Sequence, residues 1–408
     1  MANNAMFEQV TSTPLTLLGV AAVYLVAITT VKTKVGSMVP VPSSDRFASL
    51  DGLRGLLAIF VLCHHSLYWY GRVTTGSWTM PSILYENLGK ASVCLFFMVS
   101  SFLFYNKVLA IQKSPMDWPR FAISRLLRLT PLYLLAMTLL IIEVGIASEW
   151  HANETPLTLI KSILSWLGFT ILGNPDINQI KNTNLIIAGV TWSLVYEWIF
   201  YAALPIIALF SARKVPYSAL LASVVISLFL YRKIHPDPFI LIAFLGGIAA
   251  AVIVRWGKLN TLLRSNWTAP ILIFLLYKSW TLHYKPWNPE TLLILTIIFT
   301  AISAGNSIFG TLDKPIPRKL GEVSYGIYLF HGLILYGIFQ LSPIGQLAAL
   351  QTSSIYLAAI LGITTLTVAF SCIGFRFIEA PAMALVNPTT ANLRNSWRQL
   401  RHNLTPRF

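Results

Sequence analysis

The feature that most limits what this chain can fold into is a succession of apolar runs long enough to cross a bilayer. They fall at 14–31, 50–70, 89–109, 124–147, 189–211, 216–231, 238–254, 267–284, 289–309, 322–341 and 353–375. A helix rises ~1.5 Å per residue, so about 20 apolar residues cross the hydrocarbon layer. The expected fold is therefore all-α, a polytopic membrane protein of about eleven transmembrane helices. A further apolar stretch, 157–173, follows the polar loop SEWHANETP and is short. It is expected to be interfacial or re-entrant.

Charge tests this layout. Only 11% of residues are charged and the mean hydropathy is +0.66, against about a quarter charged in a soluble domain. The net charge of +15 would suit nucleic acid, but its distribution does not: the basic residues sit mostly in short loops between apolar runs. With the loop after residue 31 in the cytoplasm and the spans alternating, all but eight of the 30 Lys and Arg collect on the cytoplasmic side. The eight are Arg72, Lys90, Lys161, Lys181, Arg232, Lys233, Lys278 and Lys285. Making 157–173 a full span would move Arg213 and Lys214 outside and invert everything after them. The positive-inside rule thus supports eleven spans and a cytoplasmic C-terminus, with no nucleic-acid partner. The first span is expected to be an uncleaved anchor, because MANNAMFEQV has no basic n-region and the basic residues follow the span. Cys63, Cys94 and Cys372 are far apart within apolar runs, show no metal spacing and imply no disulfide framework.

Against this background "SLDGLRGLLAIFVLCHHSLYWYG", 49–71, is unusual. Ionisable groups inside a membrane segment are costly and usually mark a pathway or reaction centre. On a helix Arg54 and His65 lie eleven residues apart, within ~20° of one face and ~16 Å along the axis. His64 lands ~80° off that face, so geometry selects His65 as the partner of Arg54. One reading is a ligand with an anion at one end and a reactive group at the other. A phosphopantetheine arm spans ~15 Å, so Arg54 would hold a phosphate of coenzyme A while His65 acts as general base on a hydroxyl. The other reading is structural: Arg54 snorkels to headgroups and His65 bonds a neighbouring helix. Spacing alone leaves both open.

The segment resembles the first motif of the acyltransferase 3 family of membrane O-acyltransferases, an Arg, ten residues and a His. Further stretches resemble the family's motifs in order: "LFFMVSSFLF" at 95–104, "RFAISRLLRLTPLY" at 120–133, "TWSLVYEWIFYAALP" at 191–205, "LGEVSYGIYLFH" at 320–331 and "FRFIEAP" at 375–381. Together they cover about residues 48–381. Ser101 stands where the family usually has Gly, which questions a close backbone approach there, and the 14–31 span lies outside the usual ten-helix core. The resemblance divides the chain into an N-terminal anchor helix and cytoplasmic linker (1–47), an acyltransferase membrane domain (48–381) and a basic cytoplasmic tail (382–408), too short for the esterase-like domain some members carry. It implies transfer of an acyl group, acetyl first of all, from cytoplasmic acetyl-CoA or another acyl-CoA to a hydroxyl of a cell-envelope carbohydrate or lipid-linked glycan, at a bacterial inner membrane.

Within that frame His65 and Glu197 are the expected catalytic groups. Arg54, Arg125, Arg128 and Ser100 would bind the coenzyme A thioester, the Arg125/Arg128 pair sharing one helical face. Ordinary inside anchoring also explains those arginines. Glu197, inside or near the membrane, would orient sugar hydroxyls or the imidazole, or form a structural pair with an arginine. Trp192, Ser193, Tyr325, Tyr328 and His331 are expected to bind the acceptor, although interfacial belts and core packing also account for such aromatics. Glu322 and Glu379 are expected to pair with Arg376 or near Arg54, and Asp51 to position Arg54. No metal is expected, since His151, His235, His283 and His402 have no ligand partners at useful spacing. Transfer could be direct or pass through an acyl-His65 intermediate. A different class, a secondary transporter or flippase for an envelope glycolipid, would show paired broken helices or inverted repeats. None is evident in the sequence.

Overall fold

The computed structural model describes residues 13–43, 47–80, 82–110, 116–211, 215–282, 288–347, 350 and 352–404. Among them it is helical throughout, and the only β feature is an isolated bridge between Ile177 and Ile180. The main helices are α1 (Thr13–Lys32), α2 (Ala48–Thr75), α3 (Ile83–Ala110), α4 (Trp118–Ala147), α5 (Pro156–Leu167), α6 (Thr191–Leu209), α7 (Tyr217–Ile234), α8 (Pro238–Trp256), α9 (Ala269–Leu282), α10 (Pro289–Ala304), α11 (Pro315–Glu322), α12 (Ser324–Tyr336), α13 (Ser353–Gly374) and α14 (Val386–Leu404). Eight helices are long and apolar enough to cross a membrane, and Leu17–Lys32, Pro156–Leu167 and Pro289–Ala304 are shorter apolar helices. Arg46, Lys113, Arg213, Lys214, His283, Lys285 and Arg407 lie outside the described residues.

Polar contacts gather alternate helix ends. Ser49 Oγ donates to the Ile302 carbonyl at 2.7 Å, Arg264 to Ala304, Arg318 to the carbonyls of Pro42 and Ser43, and Arg394 pairs with Asp117. This is the basic end of the bundle. At the opposite end the Asp237 N–H donates to Tyr196, and Asn178 ties the loop after α5 to His151 and Asn153.

The site is framed by a close crossing of α2 and α11. A Cβ at Gly55 would collide with Leu320 and the Pro317 carbonyl, one at Gly321 with the Asp51 carbonyl, and one at Gly52 with the Leu312 carbonyl just before α11. Glycine permits this backbone approach, as small residues do at membrane helix crossings. The "DGLRG" and "LGE" stretches are therefore a joint, and it carries Arg54, Glu322 and Ser324 to one place. α3 meets α8 the same way. A Cβ at Gly247 would collide with Ser101 Oγ and the Met98 carbonyl, while Ser101 is fully buried. The close approach at Ser101 is thus retained, with the space supplied by α8.

Three expected segments differ in detail. The 322–341 span is broken at Val323 between α11 and α12 and ends in a π-turn, Gly337–Leu341. The span ending at 375 continues through a second π-turn, Phe375–Glu379, towards α14. Residues 157–173 give α5 and an irregular loop. α5 exposes Leu157, Ile160 and Leu164 and buries Ser162, Ser165 and Trp166. Its 12 residues reach only ~18 Å, too short to cross.

Candidate active site

A cavity of about 790 Å³ opens among α2, α3, α4, α6, α11 and α12, inside the roughly 300–1,000 Å³ range of small-molecule sites. Its lining includes Arg54, Ser100, Arg125, Arg128, Ser193, Glu197, Tyr325 and Tyr328. Eight of the eleven candidate residues, drawn from five separate stretches of sequence, therefore meet in one space.

Cations crowd one part of it. Arg54 donates to Ser324 Oγ at 3.2 Å. Arg125 and Lys107 both lie over the Phe104 ring, at 4.7 and 5.2 Å from its centre. The two expected arginine forks have different surroundings. Arg128 is ion-paired with the buried Glu379, so that carboxylate meets Arg128 rather than Arg376. Arg125 has no carboxylate within ion-pair distance among the described residues, and contacts the Ser124 hydroxyl. Its charge remains available to an anion.

The middle of the cavity is polar and hydroxyl-lined. Glu197 accepts from Ser100 Oγ at 2.7 Å and from the Tyr201 hydroxyl at 2.9 Å. It is held by hydroxyls, not by the expected arginine or imidazole. Ser193 Oγ and the Tyr328 hydroxyl are 2.6 Å apart, and Tyr325 donates to the Leu129 carbonyl at 2.9 Å.

Tyr328 leads to the histidines, which lie just outside the cavity lining. Its ring centre is 6.2 Å from that of His331, whose Nε2 is 3.0 Å from His65 Nδ1. The network fixes the tautomers. His331 Nδ1 lies 3.0 Å from the Ile327 carbonyl, and a carbonyl only accepts, so Nδ1 carries the proton. Neutral His331 then presents Nε2 as an acceptor. His65 Nδ1, also 3.1 Å from the Val61 carbonyl, is the donor. His65 Nε2 is left with its lone pair and with no hydrogen-bond partner among the described residues. His64 differs: it is buried, bonds the Tyr85 carbonyl at 2.8 Å and packs against Gly89.

Trp192 does not join the site. It is 38% exposed, packs edge-on against Phe97 and Tyr196, and is absent from the cavity wall. Lys107 and Tyr201 are cavity residues that were not among the expected site residues, although Tyr201 lies within the 191–205 motif. Lys107 falls seven residues after Ser100, and Tyr201 four after Glu197, so helical spacing from a chosen residue could have found both. Among the described residues no group of three His, Cys, Asp or Glu is placed to hold a metal ion. The three cysteines are free and buried.

A family model described as an acyltransferase domain, acyltransferase 3, matches residues 47–374. The chain belongs to the acyltransferase 3 family. No curated protein and no solved structure matches it. As a family member with eight helices able to cross a membrane, the protein is a membrane acyltransferase. In this acyltransferase 3 protein the cavity joins a cationic part to a polar, hydroxyl-lined middle, and Tyr328 in its wall is one helical turn from His331, which contacts His65.

Proposed function

We propose that this acyltransferase moves an acyl group, acetyl in the first instance, from cytoplasmic acyl-CoA to a hydroxyl of a cell-envelope carbohydrate in a bacterial inner membrane. The reading rests on one arrangement: Arg54 lies in a cavity whose far wall, Tyr328, is one turn of α12 from His331, and His331 touches His65. Arg54, Arg125 and Lys107 hold the phosphates, which charge-assisted hydrogen bonds favour. Arg128 and Glu379 fix the cavity wall. Ser100, Glu197 and Ser193 line the course of the pantetheine arm, and Tyr325 and Tyr328 its inner end.

His65 Nε2 takes the proton of the attacking hydroxyl. The hydroxyl oxygen bonds to the thioester carbonyl carbon, the carbon–sulfur bond breaks, and the proton passes to the departing sulfur of coenzyme A. His331 holds the imidazole in the tautomer this requires. Membership of an acyltransferase family favours this over carriage of a glycolipid, for which the basic cavity alone would also serve.

Calorimetry on the purified protein should show coenzyme A binding. His65→Ala should retain that binding and lose transfer from radiolabelled acetyl-CoA by about 10²–10⁴-fold, the usual scale of general-base loss. Transfer at the normal rate in a folded His65→Ala protein would remove the mechanism.

A further inference from the structure

α2 does not end at His65, and its accessible line continues away from the cavity. From Val61 to Gly71 every residue is buried except His65 and Tyr68, one turn apart, and Arg72 follows one turn later. Tyr68 stacks on Trp78 with ring centres 5.3 Å apart and 13° between planes. Its hydroxyl donates to Glu86 at 3.0 Å, and Glu86 also pairs with Lys90. Arg72 donates to Gln340 at 3.3 Å. All of these side chains except Gln340, which is exposed, are partly accessible. The donor cavity approaches the histidine pair from the basic end, and this group borders His65 from the other.

We infer that Tyr68, Trp78 and Glu86 form the acceptor site, and that it takes a pyranose ring. The inference deepens the proposed function and rests on it. A pyranose offers an apolar C–H face that rests on aromatic rings, and an edge of hydroxyls that carboxylates and amides bind. Tyr68 and Trp78 supply the rings, Glu86 and the Arg72–Gln340 pair the polar edge. The His65 and Tyr68 ring centres are 6.5 Å apart, so a sugar seated beside Tyr68 brings a hydroxyl to the imidazole. Donor and acceptor then reach His65 from opposite ends of the bundle, and neither has to pass the other. Trp192, outside the cavity wall, is not part of this site. A plain interfacial belt also collects Tyr and Trp, but it does not call for a tyrosine hydroxyl bonded to a carboxylate beside a reactive imidazole.

The test uses full-length protein in nanodiscs, radiolabelled acetyl-CoA, and an envelope extract from cells that lack the gene. Tyr68→Ala, Trp78→Ala and Glu86→Gln should each cut label incorporation by about tenfold or more, through a higher apparent KM for the extract. Coenzyme A affinity should stay within twofold of wild type, and Tyr68→Phe should keep more activity than Tyr68→Ala. If Tyr68→Ala loses coenzyme A binding and so its fold, Trp78→Ala, which lies in a loop, and Glu86→Gln decide the question. Incorporation within twofold of wild type in these variants overturns the acceptor site and leaves the acyltransferase reading standing. A wild-type protein that neither binds coenzyme A nor labels the extract overturns both.

Discussion

Each charged or imidazole side chain in the bundle takes its role from what it touches. Arg125 and Arg128 sit one turn apart, yet among the described residues only Arg128 has a carboxylate in ion-pair contact. Removing Arg128 takes away the ion-pair partner of Glu379, which is 1% exposed, and breaking one side of a buried pair costs about 3–5 kcal/mol. Arg128→Ala should therefore unfold at a clearly lower temperature in a detergent thermal-shift assay. Arg125→Ala should melt like wild type and bind coenzyme A more weakly, with the loss largest at low salt. Equal melting of the two variants would contradict this division. The role of His331 can be isolated by a different route. Its one described contact with the reaction is the bond to His65 Nδ1, so His331→Ala should lower kcat roughly 10–100-fold, as losing an orienting partner does elsewhere, with coenzyme A affinity unchanged. A change in that affinity alone would place His331 in donor binding instead. Part of this arrangement was legible in the sequence: the eleven-residue spacing put Arg54 and His65 on one face of α2, and the structure places Arg54 in the cavity wall and His65 just outside it. The His65–His331 bond was not, because 266 residues separate the pair and no local period connects them.

The crossing of α2 and α11 does at the level of elements what the ion pair does for side chains. It is built from glycines whose neighbours leave no room for a methyl group. Gly55→Ala and Gly321→Ala should each force the helices apart, and overpacking of this kind typically costs 1–3 kcal/mol. Both should lose thermal stability and, because the joint carries Arg54 and Ser324, coenzyme A affinity as well. Gly362, on α13, is a suitable control: nothing lies within 4 Å of a Cβ placed there, and Gly→Ala at a compatible helical site should be neutral or stabilising by about 0.4–1 kcal/mol. If all three variants behaved alike, the joint would carry no special load. The apolar runs gave the helices their places, since hydropathy and length are local properties. They did not show the break at Val323, the two π-turns, or that Gly247 accommodates Ser101. Those follow from how helices distant in sequence press together.

At the scale of the whole molecule, the proposed separation of donor and acceptor becomes a statement about sides of a membrane. Contacts tie the starts of α2 and α4, the end of α10 and the middle of α14 to one end of the bundle, where Arg54, Arg125, Lys107, Arg318 and Arg394 also gather. A bilayer retains such an excess of Lys and Arg on its cytoplasmic face. The Arg54 cavity opens at this basic end, where the proposed cytoplasmic thioester would arrive, and the Tyr68–Trp78 group would then face outwards. The native cysteines are buried, so single exposed cysteines can report on each face without removing them. Ala152→Cys, in the exposed loop before α5, should react with a membrane-impermeant maleimide in intact cells. Ser396→Cys, exposed on α14, should react only after the membrane is permeabilised. The opposite pattern would turn the molecule over and put the basic cavity where no cytoplasmic thioester could enter it. Donor chemistry and topology thus depend on the same arrangement of charge, and a labelling experiment that needs no substrate tests both.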